Sequence, residues 1–199
     1  MNPITAFFID NITLVFFFYG LAFFVMGVAL AVASRQESEM VFVRAILPLA
    51  LFGVLHGSHE WLEMFQQIGF EQNSRVPGAA EEALRVVILV SSFVMLLLFG
   101  GTLLAATTKI TWPTRASVLL FVIWLLCVTV IGFALRPGVQ EGIVYADILS
   151  RYILAIPAAI LGAWALMAQQ RTFREHDMPQ FGRDLAWAAA ALLLYGVVG

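Results

Sequence analysis

The chain has 199 residues, of which 61% are hydrophobic and only 12% are charged. Because about a quarter of the residues in a soluble domain are charged, this composition predicts an integral membrane protein with several spanning helices. The net charge of −2 gives no electrostatic basis for binding nucleic acid. The single cysteine, Cys127, excludes an intrachain disulfide and a metal site built from several cysteines.

Six apolar runs are candidates for membrane-spanning helices, each of which needs about 20 residues. They lie at 12–34, 40–65, 83–107, 115–135, 148–168 and 184–199. Gly20 and Gly27 in the first run predict close helix packing, and Pro157 predicts a kink in the fifth. We therefore expect an all-α polytopic membrane helix bundle forming one domain over 1–199. The sixth run is short, so we also expect that the chain is a fragment of a longer protein with a seventh span.

The orientation in the membrane is predicted from Lys and Arg, because cytoplasmic loops carry an excess of these residues. With the N-terminus outside, the inner ends would hold Arg35, Arg44, Lys109, Arg115, Arg171, Arg174 and Arg183. The outer ends would hold only Arg75, Arg85, Arg136 and Arg151. This distribution favours an N-terminus outside.

The second run contains four ionisable residues where a spanning helix normally carries leucine. His56, His59, Glu60 and Glu63 fall within an arc of about 100° on one helix face, roughly two turns tall. Ionisable groups are energetically costly inside a membrane and usually mark functional sites there. We call these four residues the His/Glu cluster and take them as the candidate binding site.

Charged residues of two other runs are expected at the same depth. Glu82 and Arg85 lie at the start of the third run, while Asp147 and Arg151 lie at the start of the fifth. The spacing within each pair suits an ion pair. With the N-terminus outside, three helices bring charge to the outer half of the bundle, where these four residues would complete or support a shared site.

Imidazole and carboxylate ligands suit zinc, copper or iron, so the cluster predicts a metal ion or metal cofactor without distinguishing among these metals. Because one helix rarely supplies a complete coordination sphere, Glu82 or Asp147 is expected to contribute. Haem held by His56 or His59 ranks below a metal ion, since abundant Phe residues suit lipid contact and helix packing as well as a porphyrin pocket.

Two other interpretations of the cluster stay open. Neighbouring histidines and glutamates are coupled groups that can change charge between about pH 5 and 8, as a proton sensor requires. Alternatively, the cluster forms a static network with Arg85 and Arg151 that only locks the helices together. The sequence contains no phosphate-binding loop, nucleophile elbow or kinase motif, so no catalytic residues are predicted.

Three stretches of the chain carry a resemblance: YGLAFFVMG at 19–27, FGVLHGSHEW at 52–61 and DILSRY at 147–152. They resemble the multi-span N-terminal sensor regions of bacterial membrane histidine kinases and diguanylate cyclases. The resemblance implies a bundle of about seven helices in the bacterial inner membrane and a homodimer. It also implies a cytoplasmic output domain, a kinase or a cyclase, which this chain does not include.

Together, these features predict a membrane-integral sensory module. The module would bind a metal ion or metal cofactor at the His/Glu cluster and relay that event to the output domain. The alternatives are a small membrane transporter or an intramembrane metal-dependent enzyme using the same cluster, and a structural membrane subunit.

Overall fold

The computed structural model describes residues 2–36, 41–109, 111–135, 138–175 and 179–198. Within these ranges the chain contains helices and no strand, so the predicted all-α class is confirmed. The helices are α1 (Pro3–Asp10), α2 (Ile12–Gln36), α3 (Val41–Asn73), α4 (Ala79–Thr108), α5 (Trp112–Leu135), α6 (Val139–Ser150), α7 (Ile156–Glu175) and α8 (Pro179–Val198).

Four helical segments are long and apolar enough to cross a membrane, rather than the six predicted. They are Ile12–Ser34, Ala79–Thr108, Trp112–Leu135 and Val139–Arg174. They correspond to the first, third, fourth and fifth predicted runs. Helix α3, although 33 residues long, is not among them within the described residues. Helix α8 is not among them either, in the part of it that the structure describes. Met40, Arg136 and Gly199 lie outside the described residues.

Helix α4 lies at the centre of the bundle, where it packs against α3, α5, α6 and α7. In the most apolar part of α4, 61% of the sequence is buried, compared with 11% in α2 and 0% in α5. The α4 side chains Leu89, Phe93, Leu96 and Leu103 are buried in the core. Helices α2 and α5 are therefore peripheral, with apolar surfaces suited to contact with lipid.

Helices α2 and α3 pack with their backbones in contact at glycine residues. A Cβ added to Gly27 would lie 2.6 Å from the Val54 nitrogen, and one added to Gly57 would lie 2.8 Å from the Phe24 nitrogen. No side chain fits at these distances, so the close packing predicted from Gly20 and Gly27 is confirmed. The contact places the aromatic face of α2 against the His/Glu cluster of α3.

The helical segment that carries Arg151 is irregular just before Pro157. Proline has no N–H to donate, and its ring clashes with the carbonyl four residues earlier, which is that of Ile153. The turn Arg151–Ala155 is π-helical, and the Ile156 N–H bonds to the Arg151 carbonyl. The irregularity predicted at Pro157 is therefore a π-helical turn, a feature often found at functional sites.

Candidate functional site: a buried His/Glu cluster

His59 is almost completely buried, with 1% of its surface exposed. Neither of its ring nitrogens has a hydrogen-bond partner among the described residues. The Nδ1 atom lies 3.5 Å from Glu60 Oε1, and the Nε2 atom lies 3.6 Å from Glu63 Oε1. A buried polar atom without a partner costs about 1–3 kcal/mol. The bundle therefore buries an imidazole ring whose two nitrogens make no hydrogen bond within the described residues.

His56, also buried, is held from two sides by hydroxyl groups. Its Nδ1 lies 3.4 Å from Ser92 Oγ, and its Nε2 lies 3.2 Å from the Tyr195 hydroxyl. Ser92 donates its only hydroxyl hydrogen to the Leu89 carbonyl at 2.7 Å, so Nδ1 of His56 must be the donor to Ser92. Nε2 then accepts from Tyr195. The network assigns a neutral imidazole with its proton on Nδ1.

Aromatic rings from three helices surround His56. Phe52 stacks on the imidazole with ring centroids 5.3 Å apart, while Phe23 and Tyr195 approach it edge-on at 4.7 and 5.2 Å. These rings exclude water from the imidazole on several sides. Electrostatic interactions and hydrogen bonds are stronger in such a low-dielectric environment than in water.

Arg85 joins carboxylates from three helices. Its guanidinium pairs with Glu63 of α3, with Glu82 of α4 at 3.0 Å and with Asp147 of α6 at 2.8 Å. The Arg85 side chain is only 12% exposed. Asp147 also accepts a hydrogen bond from Arg151 at 3.0 Å. Both predicted intrahelical ion pairs and the predicted convergence of charge from three helices are therefore confirmed.

The predicted site residues thus fall into two groups. Glu63, Glu82 and Asp147 pair with Arg85, and their part in binding a metal stays a prediction. His56, His59 and Glu60 form the second group. Among the described residues, no three His, Cys, Asp or Glu side chains are arranged to hold a metal ion as they stand.

A cavity of about 620 Å³ lies beside the cluster. Binding sites for small molecules usually measure about 300–1,000 Å³. The cavity is bounded by apolar residues of α2 and α8 and by six polar side chains, namely Tyr19, His56, Glu60, Glu63, Arg151 and Tyr195. Three members of the cluster, His56, Glu60 and Glu63, therefore border a space large enough for a ligand bigger than a single ion, whereas His59 does not line it.

Three residues of the site were not predicted from the sequence: Tyr19, Ser92 and Tyr195. Ser92 lies within the apolar part of α4, and Tyr195 is the single hydroxyl-bearing residue of α8. A polar residue inside an apolar run is the same signal that identified the His/Glu cluster. That signal was present at Ser92 and Tyr195, but it does not indicate which ionisable residue they contact.

Comparison with known proteins gives no match: no family model, no curated protein and no solved structure matches the chain. The resemblance to bacterial sensor regions therefore stays a prediction, and function has to be argued from the site.

Proposed function

We propose that the chain is the membrane-integral sensory module of a bacterial signalling protein, and that its His/Glu cluster binds a divalent metal ion. His59 carries this proposal. Its imidazole is buried, both ring nitrogens lack a hydrogen-bond partner within the described part of the chain, and two carboxylates lie next to it. Imidazole combined with carboxylate is a ligand set suited to Zn²⁺ and related ions.

The spacing of His56, His59 and Glu60 supports this site. Glu60 Oε1 lies 3.5 Å from His56 Nε2 and 3.5 Å from His59 Nδ1. Two ligands of a tetrahedral zinc ion with bonds of 2.0–2.1 Å are about 3.4 Å apart. His56 Nε2 is the unprotonated nitrogen in the assigned tautomer, so it can ligate once it gives up the bond from Tyr195. The side chains have to move together to close the coordination sphere.

Such movement provides a route for a signal. Binding would neutralise Glu60 and release the Tyr195 hydroxyl from His56, which is a contact between α3 and α8. A ligand shifts an equilibrium between two states when it binds one of them more tightly. The proposal is that the metal-bound state changes the position of α8 and thereby biases a cytoplasmic output domain, in a homodimer with its N-termini outside the inner membrane.

Titration of Zn²⁺ into the purified, tag-free and metal-stripped chain tests this proposal by calorimetry. We expect one Zn²⁺ per chain. His59→Gln should lower the affinity for Zn²⁺ by more than about tenfold, because losing even a residue that only hydrogen-bonds to a metal ligand lowers metal affinity by about that factor. Ser58→Ala is the matched control, because the Ser58 hydroxyl donates to the Val54 carbonyl of its own helix at 2.8 Å. Equal affinity in all three proteins would refute the site.

A further inference from the structure

A second cavity adjoins the one beside the His/Glu cluster. It measures about 270 Å³, and its lining is apolar apart from the Tyr195 hydroxyl. Phe23, Ala191 and Tyr195 line both cavities. The lining on α2 extends from Val15 to Met26, a distance of about 16 Å along a helix. The two cavities therefore border one another along α2 and α8, the first with polar groups and the second apolar, and we treat them together as one elongated space with a polar end and an apolar end.

The polar end favours a neutral head group over an anionic one. Glu60 and Glu63 line it from α3 and would repel a phosphate, while Arg151, which also lines it, is already paired with Asp147 at 3.0 Å. The remaining polar groups are hydroxyls and an imidazole. These groups exchange hydrogen bonds with a neutral molecule.

The shape and the aromatic lining narrow the class of ligand further. Tyr19, Phe23 and Tyr195 line the polar end, and aromatic rings pack well against other rings in stacked or edge-on geometry. The apolar end is lined by aliphatic residues such as Met26, Leu49 and Leu192, which suit a hydrocarbon chain. Peripheral helix α2 borders both cavities, so a molecule dissolved in the bilayer has a short path into the space.

We propose that this space binds a neutral, ring-headed membrane amphiphile of the isoprenoid quinone class. The ring lies at the polar end, where the Tyr19 hydroxyl donates a hydrogen bond to one of its carbonyl oxygens. The Tyr195 hydroxyl, which donates to His56 Nε2 in the empty site, turns to the other carbonyl oxygen when the ring binds. The tail extends along Ala188, Ala191 and Leu192 of α8. This inference rests on the cavity and does not depend on metal binding at His59.

Binding of a labelled ubiquinone with two isoprene units to the metal-free chain in nanodiscs tests the inference. Ala191→Phe adds a ring at a residue that lines both cavities, so we expect at least about tenfold weaker binding, the equivalent of losing much of the tail contact. Ala190→Phe is the matched control, because Ala190 is also exposed on α8 but lines neither cavity. It should change the affinity by less than about twofold.

Tyr195→Phe tests the head group separately. The variant keeps the ring and removes one hydroxyl, so we expect roughly twofold to tenfold weaker binding of the quinone, as for the loss of one hydrogen bond. A saturated isoprenoid hydrocarbon of the same length should not displace the labelled quinone.

Four results would overturn the inference. The first is an equal loss of quinone affinity in Ala190→Phe and Ala191→Phe. The second is displacement of the labelled quinone by the saturated hydrocarbon. Displacement by phosphatidylglycerol as efficient as by unlabelled quinone would assign the space to a phospholipid. A changed oligomeric mass of Ala191→Phe with unchanged quinone binding would assign it to a second copy of the chain. All four outcomes can be measured even if the chain binds no zinc, because the quinone experiment uses the metal-free protein.

Discussion

His56 and His59 lie one turn apart on α3, yet only His56 is integrated into a hydrogen-bond network. Its nitrogens contact Ser92 and Tyr195, whereas those of His59 have no such partner within the described residues. Residues that stabilise a fold are normally satisfied in this way. The contrast separates a positioning role for His56 from a binding role for His59, and it can be tested without knowing the ligand.

Substitution of each histidine by leucine should change the free energy of unfolding differently in metal-free protein. His59→Leu removes two unsatisfied nitrogens, so we expect that free energy to stay unchanged or to rise by about 1 kcal/mol. His56→Leu leaves the Tyr195 hydroxyl without its acceptor and should lower it by about 1–3 kcal/mol. Reversible unfolding in mixed micelles measures both values. An equal loss in both variants would favour the interpretation of the cluster as a structural lock.

Arg85 should be the most important charged residue for stability. Arg85→Gln leaves the carboxylates of Glu63, Glu82 and Asp147 without their shared cation, and breaking a buried pair costs about 3–5 kcal/mol. Arg75→Gln is the control, because the Arg75 side chain is 64% exposed in its pair with Glu81 and exposed pairs contribute about 0–1 kcal/mol. Similar losses in both variants, measured in the same unfolding experiment, would contradict the role given to the Arg85 network.

The sequence identified these ionisable residues because they interrupt apolar runs, but it did not identify their partners. The intrahelical pairs follow from a spacing of three or four residues. In contrast, the Tyr195 hydroxyl contacts His56 from 139 positions away, and Arg85 meets Glu63 through helix packing. Such contacts depend on how each helix is rotated about its axis, and that rotation is set by packing rather than by local spacing.

At the scale of helices, the contact between α2 and α3 determines where the site lies. Gly27→Ala would place a methyl group 2.6 Å from the Val54 nitrogen, so the helices have to separate at a cost of about 1–3 kcal/mol. The control is Gly132→Ala in the last turn of α5, where a Cβ meets nothing within 4 Å. That variant should be neutral or more stable by up to about 1 kcal/mol. Equal stabilities in the unfolding experiment would argue against tight α2–α3 packing.

The predicted helix positions were accurate where apolar character ended together with the helix. The third run, 83–107, lies within Ala79–Thr108. Helix α3, however, continues to Asn73, beyond the predicted end at residue 65. Its polar extension is supported by a hydrogen bond from Gln67 to Glu71 at 2.8 Å, an i, i+4 contact that stabilises a helix regardless of hydropathy. Hydropathy alone could not locate that end.

At the scale of the whole molecule, the orientation of α4 in the membrane can be tested with cysteine labelling. Helix α4 has 30 residues, about 45 Å in length, so we expect its two flanking connections to lie on opposite sides. In a Cys127→Ala background, an impermeant thiol reagent should label Val76→Cys in intact spheroplasts. Thr111→Cys should be labelled only after permeabilisation. The reverse pattern would contradict the predicted orientation, and labelling of both would show that α4 does not cross the membrane.

The central claim is that the bundle carries a metal ion at the His/Glu cluster, and elemental analysis of protein purified from its membrane tests it most directly. The chain should contain about one zinc, copper or iron ion, whereas a His56→Ala/His59→Ala double variant that is folded by circular dichroism should contain none above background. Equal and negligible metal in both proteins would contradict the account.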